Sequence, residues 1–327
     1  MSAIKRLLAV IGLGLAWLGS PALAEDRLVL GLQESGTVQW EIAAIRNLGL
    51  DVAHDLVLEV RPLADSRAGQ IALQTGAVDV ILSDFTWVSA QRHAGRDFTM
   101  VPHSLAVGGL MVPADSPVLG LADLRNGVIA VAGGPADKSW VVLQAYYHDL
   151  TGRRLAEDVE ARFGAPPLVN ELLGQGRVDA ALNFWHWNAR AKSRGMVEVI
   201  SVADMLRGLG LKDQPPLLGW TFSEANAAAK PVAIKKFLDA SFAAKAVLVT
   251  DDAAWEDLAT LMGAADDRAL FEQLRDDYRA GMVTGYFPED VAAAEQAFAL
   301  LAEHGGFEVV GDMSELEPGT FWAGYAP

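Results

Sequence analysis

Apolar residues fall in short continuous runs, separated by stretches where they recur every three or four positions. Residues 28–32 (LVLGL) make the first run and read as a short buried strand. Residues 37–48 carry Val38, Ile42, Ala43 and Ile45 at helical spacing, with Trp40 near the start. A second strand is predicted at 56–61, a helix at 68–75 ended by Gly76, and a third strand at 78–82. Strand and helix alternate, which predicts an α/β layer with mainly parallel strands.

The alternation restarts at Asn126, and a constant offset relates the two stretches. Adding 100 carries Leu28-Val29-Leu30 onto Val128-Ile129-Ala130, and Trp40 onto Trp140. It carries LQTGAVD (73–79) onto LGQGRVD (173–179), and Leu82 onto Leu182. Two lobes built on one β-α-β-α-β core are expected. Residues 105–112 (LAVGGLMV) read as a strand leaving the first lobe, and 217–222 (LLGWTF) as the strand returning. Gly108, Gly109 and Gly219 stand where a backbone must bend or lie close to a neighbour. The rest is helical: 232–249 behind Pro231, then 253–262, 266–280, and a last helix opened by Pro288 and stopped before Gly305. The expected division is a leader at 1–24, a first lobe at 25–107 plus 222–327, and a second lobe at 108–221.

The leader is read from its layout. Lys5 and Arg6 precede an apolar run at 7–18, and Ser20-Pro21-Ala22-Leu23-Ala24 supplies a helix breaker and an A-x-A site. This is the pattern of a secretory signal peptide cut after Ala24. An exported, periplasmic protein is expected.

The 327 residues hold 42 acidic and 26 basic side chains, a formal charge of −16, which disfavours nucleic acid as a partner. There is no cysteine, so thiolate metal sites, disulfides and cysteine nucleophiles are excluded. The nearest approach to a phosphate-binding loop, GGPADKS at 133–139, has Asp137 where its second glycine belongs. No G-x-S-x-G elbow exists, and the six histidines form no metal-binding pair. No catalytic residue, metal or cofactor is assigned.

In doubly wound sheets ligands bind beyond the carboxyl ends of strands, beside helix N-termini. That rule selects four loops: 33–40, 83–87 (SDFTW), 133–140 (GGPADKSW) and 183–187 (NFWHW). Of the nine tryptophans, Trp40, Trp87, Trp140, Trp185 and Trp187 lie in or beside these loops, and Trp220 lies on the returning strand. A pocket walled by indole rings is expected; a seal between the lobes is the alternative use of the same rings. Lys138 and Ser139 open a helix where an anionic group would dock. Glu34 and Asp84 would receive an amine. Asn183 offers one acceptor and two donors. Asp79 and Asp179 are assigned to turn geometry.

The leader, the two lobes, ALQTGAVDVILSDF (72–85) and LRNGVIAVAGGPADKSW (124–140) resemble the NitT/TauT type of ABC-transporter solute-binding proteins. That family includes receptors for nitrate, sulfonates, taurine and thiamine pyrimidines. The resemblance implies an α/β type II periplasmic-binding fold, with two lobes joined by two crossing segments. It implies a monomeric receptor that closes on a small molecule and delivers it to an ABC permease. Carried over by position, the cleft receives 33–40, Ser83 to Phe85, Gly109, Ser139 with Trp140, Asn183 with Trp185, and Trp220; together with the loop reading, the ligand-binding set is Gln33, Glu34, Ser35, Trp40, Ser83, Asp84, Phe85, Trp87, Gly109, Lys138, Ser139, Trp140, Asn183, Trp185, Trp187 and Trp220. The tryptophans and the carboxylates Glu34 and Asp84 depart from the sulfonate and nitrate members. They point to an aromatic or amine-bearing solute over an inorganic anion. The alternatives are a receptor for a metal or metal chelate, held by Asp84, Glu34, Asp137 and Glu171, and an enzyme on the same fold.

Overall fold

A computed structural model describes residues 26–34 and 36–325. The expected leader and Ser35 lie outside the described residues. Two five-stranded mixed sheets carry the chain. The first contains β1 (Asp26–Gln33), β2 (Leu56–Leu63), β3 (Val80–Asp84) and β4 (Phe98–Ser104). The second contains β5 (Gly109–Val112), β6 (Val128–Ala132), β7 (Glu160–Gly164), β8 (Ala180–Asn183) and β9 (Val197–Ser201). A tenth strand, β10 (Leu218–Ser223), returns to the first sheet.

The sheets run β2-β1-β3-β10-β4 and β7-β6-β8-β5-β9, the same order twice. In each, three parallel strands are followed by one antiparallel strand that arrives from the other lobe. β5 and β10 are those exchanged strands, so the chain crosses between lobes just before each. The expected division resumes the first lobe at residue 222, the last residue of the strand expected to return. β10 instead pairs with β3 and β4 from Leu218 onward, so the first lobe resumes four residues sooner.

The internal repeat extends to hydrogen bonds. Asp79 and Asp179 each follow a glycine in left-handed conformation, Gly76 (φ +70°) and Gly176 (φ +65°), which ends a helix. The Asp79 carboxylate accepts the Val29 N–H at 2.9 Å, while its own N–H donates to the Val29 carbonyl at 2.8 Å. Asp179 does the same with Val128, at 2.7 and 2.9 Å. Val29 therefore matches Val128, so the first strands are related by 99 residues and the third strands by 100. Both aspartates serve turn geometry. Asp79 also holds the Lys230 ammonium at 2.7 Å.

Alternation sorts each strand. Leu28, Leu30 and Leu32 of β1 are buried with Trp220, Phe222, Ile234 and Phe237 against the long helix Pro231–Thr250. In the second lobe Ile129, Val131, Leu110 and Leu182 pack with Leu143. The crossings demand glycine where the sequence analysis places it. A Cβ at Gly108 would stand 1.6 Å from the Asn183 carbonyl oxygen, and one at Gly219 2.6 Å from that of Val101. Among the described residues no helix is long and apolar enough to cross a membrane.

Behind the first sheet lies a buried polar cluster. Glu41 accepts from the Ser241 hydroxyl and, at 3.5 Å, from that of Tyr278. Its Oε2 stands 3.9 Å from Lys245 Nζ, which donates to the His103 carbonyl at 2.9 Å. Burial pushes the Glu41 carboxyl up, opposed by Lys245 and the hydroxyls, and pushes the Lys245 ammonium down, opposed by Glu41. Burial, and then the Lys245 charge, hold His103 well below the usual imidazole value, so its 3.6 Å approach to Glu41 is not an ion pair.

Candidate functional site

A cavity of about 400 Å³ lies between the lobes. Its walls come from the carboxyl ends of β1, β2 and β3, from the helix starts beyond them, and from both crossings at 106–108 and 217–218. The second lobe contributes Asp137–Ser139 and Phe184–His186. A volume of this size falls within the roughly 300–1,000 Å³ of small-molecule sites.

Three helices that point their N-termini at the cavity are capped by aspartate. Asp65 Oδ1 accepts the Ala68 N–H at 2.8 Å and opens helix Ser66–Gln74. Asp84 Oδ1 accepts the Trp87 N–H at 3.0 Å and opens helix Phe85–His93. Asp137 Oδ1 accepts from Ser139 and Trp140, at 2.9 and 3.3 Å, and opens helix Lys138–Thr151. Such caps satisfy helix N–H groups that water or a ligand would otherwise have to meet. Asp84, from the first lobe, also reaches Lys138 of the second at 3.3 Å. Burial raises the Asp84 carboxyl, but Lys138, the Thr86 hydroxyl and the Trp87 N–H outweigh it and leave it below the usual carboxylate range. Burial raises Asp137, partly offset by Lys138 and the two N–H groups. His186 is pushed down to about 3 by burial and the neighbouring Arg190, so it lines the cavity as a neutral ring.

Six of the expected residues meet here: Gln33, Ser83, Asp84, Lys138, Ser139 and Trp185. Gln33 donates to Ser66 Oγ at 2.6 Å across the strand ends. Glu34 is exposed beside it, outside the wall. Gly109 begins β5 one residue past Gly108, and its carbonyl accepts from Asn188 at 3.0 Å. Asn183 is buried; it donates to the Pro166 carbonyl and Asn170 Oδ1 and accepts the Phe184 N–H, which ties strand to helix.

The structure turns the other rings inward. SDFTW and NFWHW read as loops, but a helix starts within each, at Phe85 and at Trp185. Phe85 is therefore fully buried, and Trp87 packs on Phe98 at 5.5 Å. Trp187 lies under the Arg190 guanidinium, 5.4 Å away. Trp140 is buried edge-on to Phe163, and Trp220 is buried with its N–H on Ser241 at 3.0 Å. Trp40 is buried behind Trp185, edge-on at 5.9 Å, with Tyr278 against both. That contact joins the two lobes, so Trp40 and Trp185 seal the interface and Trp185 alone of the six named tryptophans lines the cavity.

Asp65 and Ser66 line the cavity but lie outside the four loops expected to bind, whereas Thr37 and His186, which also line it, lie within two of them. Asp65-Ser66 carried a signal: an acidic residue and a serine just after a strand mark a helix start. It follows β2, whose carboxyl end is not among the four expected loops.

Matched sheets, exchanged strands and a cavity between the lobes define a periplasmic-binding-protein-like α/β fold. Solved structures share it. The alkanesulfonate-binding protein SsuA from Xanthomonas axonopodis pv. citri, bound to MOPS, aligns with a TM-score of 0.68 at 18% identity, over 91% of this chain and 98% of that one. The periplasmic aliphatic sulphonate binding protein SsuA from Escherichia coli gives 0.68 at 17%, over 89% and 97%. The desulfurization enzyme DSZB gives 0.58 at 16%, over 86% and 92%. No protein-family model and no curated protein matches the chain.

Proposed function

We propose that this chain is an exported solute receptor. It encloses a small organic molecule, aromatic or amine-bearing, in the inter-lobe cavity and hands it to an ABC permease. The observation that carries the reading is the cavity of about 400 Å³, to which both lobes and both crossings contribute walls. A solute there touches both halves and so stabilises the closed arrangement over an open one, by its differential affinity for the two. Val38, Leu63, Ile81 and Trp185 offer an apolar wall to its hydrocarbon body, and the strand ends offer polar groups to its head. The sulfonate-binding proteins named above support capture of a solute as the use of this fold. Identity of 16–18% leaves the solute itself to this chain's own residues.

A metal receptor has less support. Among the described residues no three His, Asp or Glu side chains converge as a metal site, and Asp84 is already held by Lys138. The enzyme reading draws on the likeness to DSZB, which aligns less well than the two sulfonate-binding proteins.

A thermal-shift screen of small organic solutes tests the proposal. A solute present at a hundred times its dissociation constant adds about 2.7 kcal/mol of stability, so a true ligand raises the Tm clearly. Trp185→Ala should reduce that shift. A broad screen in which no solute raises the Tm, or in which Trp185→Ala and wild type respond alike to every hit, would contradict the assignment.

A further inference from the structure

The Asp84–Lys138 pair has a second reading, which rests on the solute-receptor assignment and sharpens it. Lys138 is the cation of the cavity wall, yet its nearest charge is not solvent or an open subsite but a carboxylate of the opposite lobe at 3.3 Å. The helix that Lys138 opens has no N–H groups left over for an anion at Ser139 and Trp140, because Asp137 accepts both. The same holds at Asp65 and Asp84, whose Oδ1 atoms cap the other two helices. At Asp65 and Asp84 Oδ2 accepts no hydrogen bond among the described residues. Beside Asp84, the Ser83 side chain lines the cavity, is only 5% exposed, and makes no hydrogen bond among the described residues. The strand end at 83–84 is therefore a place with acceptors to spare, met by a lysine from across the gap.

We propose that Asp84 is the seat for an ammonium or guanidinium group of the solute, and that Lys138 is a tethered stand-in occupying that seat until the solute arrives. The physical logic is an exchange of one ion pair for another. A half-buried carboxylate left alone is costly, so an empty receptor gains from an internal counter-ion. When the solute's cation takes Asp84, Lys138 swings away, and the net gain is the difference between two similar pairs. Affinity stays moderate, which lets the solute leave again. Lys138 in this account lowers affinity, the opposite of an anion anchor.

The test is calorimetric titration of wild type, Lys138→Met and Asp84→Asn with matched probes: phenethylammonium, phenethyl alcohol and phenethyl sulfonate, and the corresponding propyl series. Asn is as good a helix cap as Asp, so Asp84→Asn keeps the fold, and its Tm is checked alongside. The proposal expects the ammonium members to bind, Lys138→Met to bind them about fivefold tighter, since a part-exposed pair that must be broken first is worth under about 1 kcal/mol, and Asp84→Asn to lose at least tenfold. It also expects the Asp84→Asn penalty to grow in the Lys138→Met background, which removal of a distant charge would not cause. Binding of the sulfonates, abolished by Lys138→Met, would overturn the inference and leave the solute-receptor reading standing. Binding of the alcohols as tight as the ammonium probes would overturn it as well. Failure of every probe, together with no shift in the wider thermal screen, would remove the receptor reading and this inference with it.

Discussion

Lys245→Met tests whether the buried cluster behind the first sheet is held by charge. Lys245 is 1% exposed and Glu41 is fully buried, so neither can turn to water when the other is removed. The substitution deletes the ammonium 3.9 Å from Glu41 and the hydrogen bond to the His103 carbonyl. It keeps most of the side-chain volume. Breaking a buried pair on one side costs about 3–5 kcal/mol, because the surviving charge is left uncompensated. The pH dependence follows in sign. Glu41 already sits above the usual carboxylate range through burial, and losing Lys245 raises it further. Between the unfolded and folded values the unfolded chain holds fewer protons, so stability falls as pH rises through that window. Urea unfolding followed by circular dichroism should show a loss smaller at pH 5 than at pH 8. Adding Glu41→Gln to Lys245→Met should recover about 2 kcal/mol at pH 8 by removing the orphaned charge. A loss under about 1 kcal/mol, or one equal at both pH values, would refute the reasoning.

Further expectations concern other parts of the molecule. Asp79→Ala should destabilise by about 2–3 kcal/mol and Asp179→Ala by about 1–2, since both lose a bond to a strand N–H but only Asp79 also holds Lys230; chemical denaturation of the two variants measures the ordering. Trp140→Ala should cost about 3–5 kcal/mol of stability as a buried ring is lost, while any solute that binds keeps its affinity. His186, ordinarily protonated near pH 6.5 but held neutral down to about 3 in the fold, contributes stability that is present above 6.5 and lost as pH falls toward 3. Thermal melts of His186→Gln between pH 7 and 4 should therefore decline less steeply than those of wild type.

Much of the fold was legible in the residues. Strand runs, helical spacing and the matched segments at 73–79 and 173–179 located both lobes and the crossing strands, because these features depend on local periodicity and on glycine. The one-residue slip between Val29 and Val128 was not legible, since strand register is set by pairing, here by which N–H each aspartate accepts. At the site, the strand ends were found but the direction of the side chains was not. Asp84 and Phe184 begin helices at once, so Phe85 and Trp87 are wound into the interior and Trp185 alone of the two loops' tryptophans keeps a face on the cavity. Aromatic residues near a strand end mark the place, while the cap residue decides where they point. Lys138 shows the same limit: its position at a helix start suggests an anion site, and only the fold brings Asp84 to it from the other lobe.

The most direct test of the central claim is native mass spectrometry of the full chain, exported and purified without unfolding. A mass excess of one small organic molecule per chain, retained in Trp140→Phe and diminished in Trp185→Ala and Asp84→Asn, is the predicted result. A chain that carries no such molecule and gains none from a periplasmic small-molecule extract, or one whose bound mass is indifferent to Trp185 and Asp84, would contradict it.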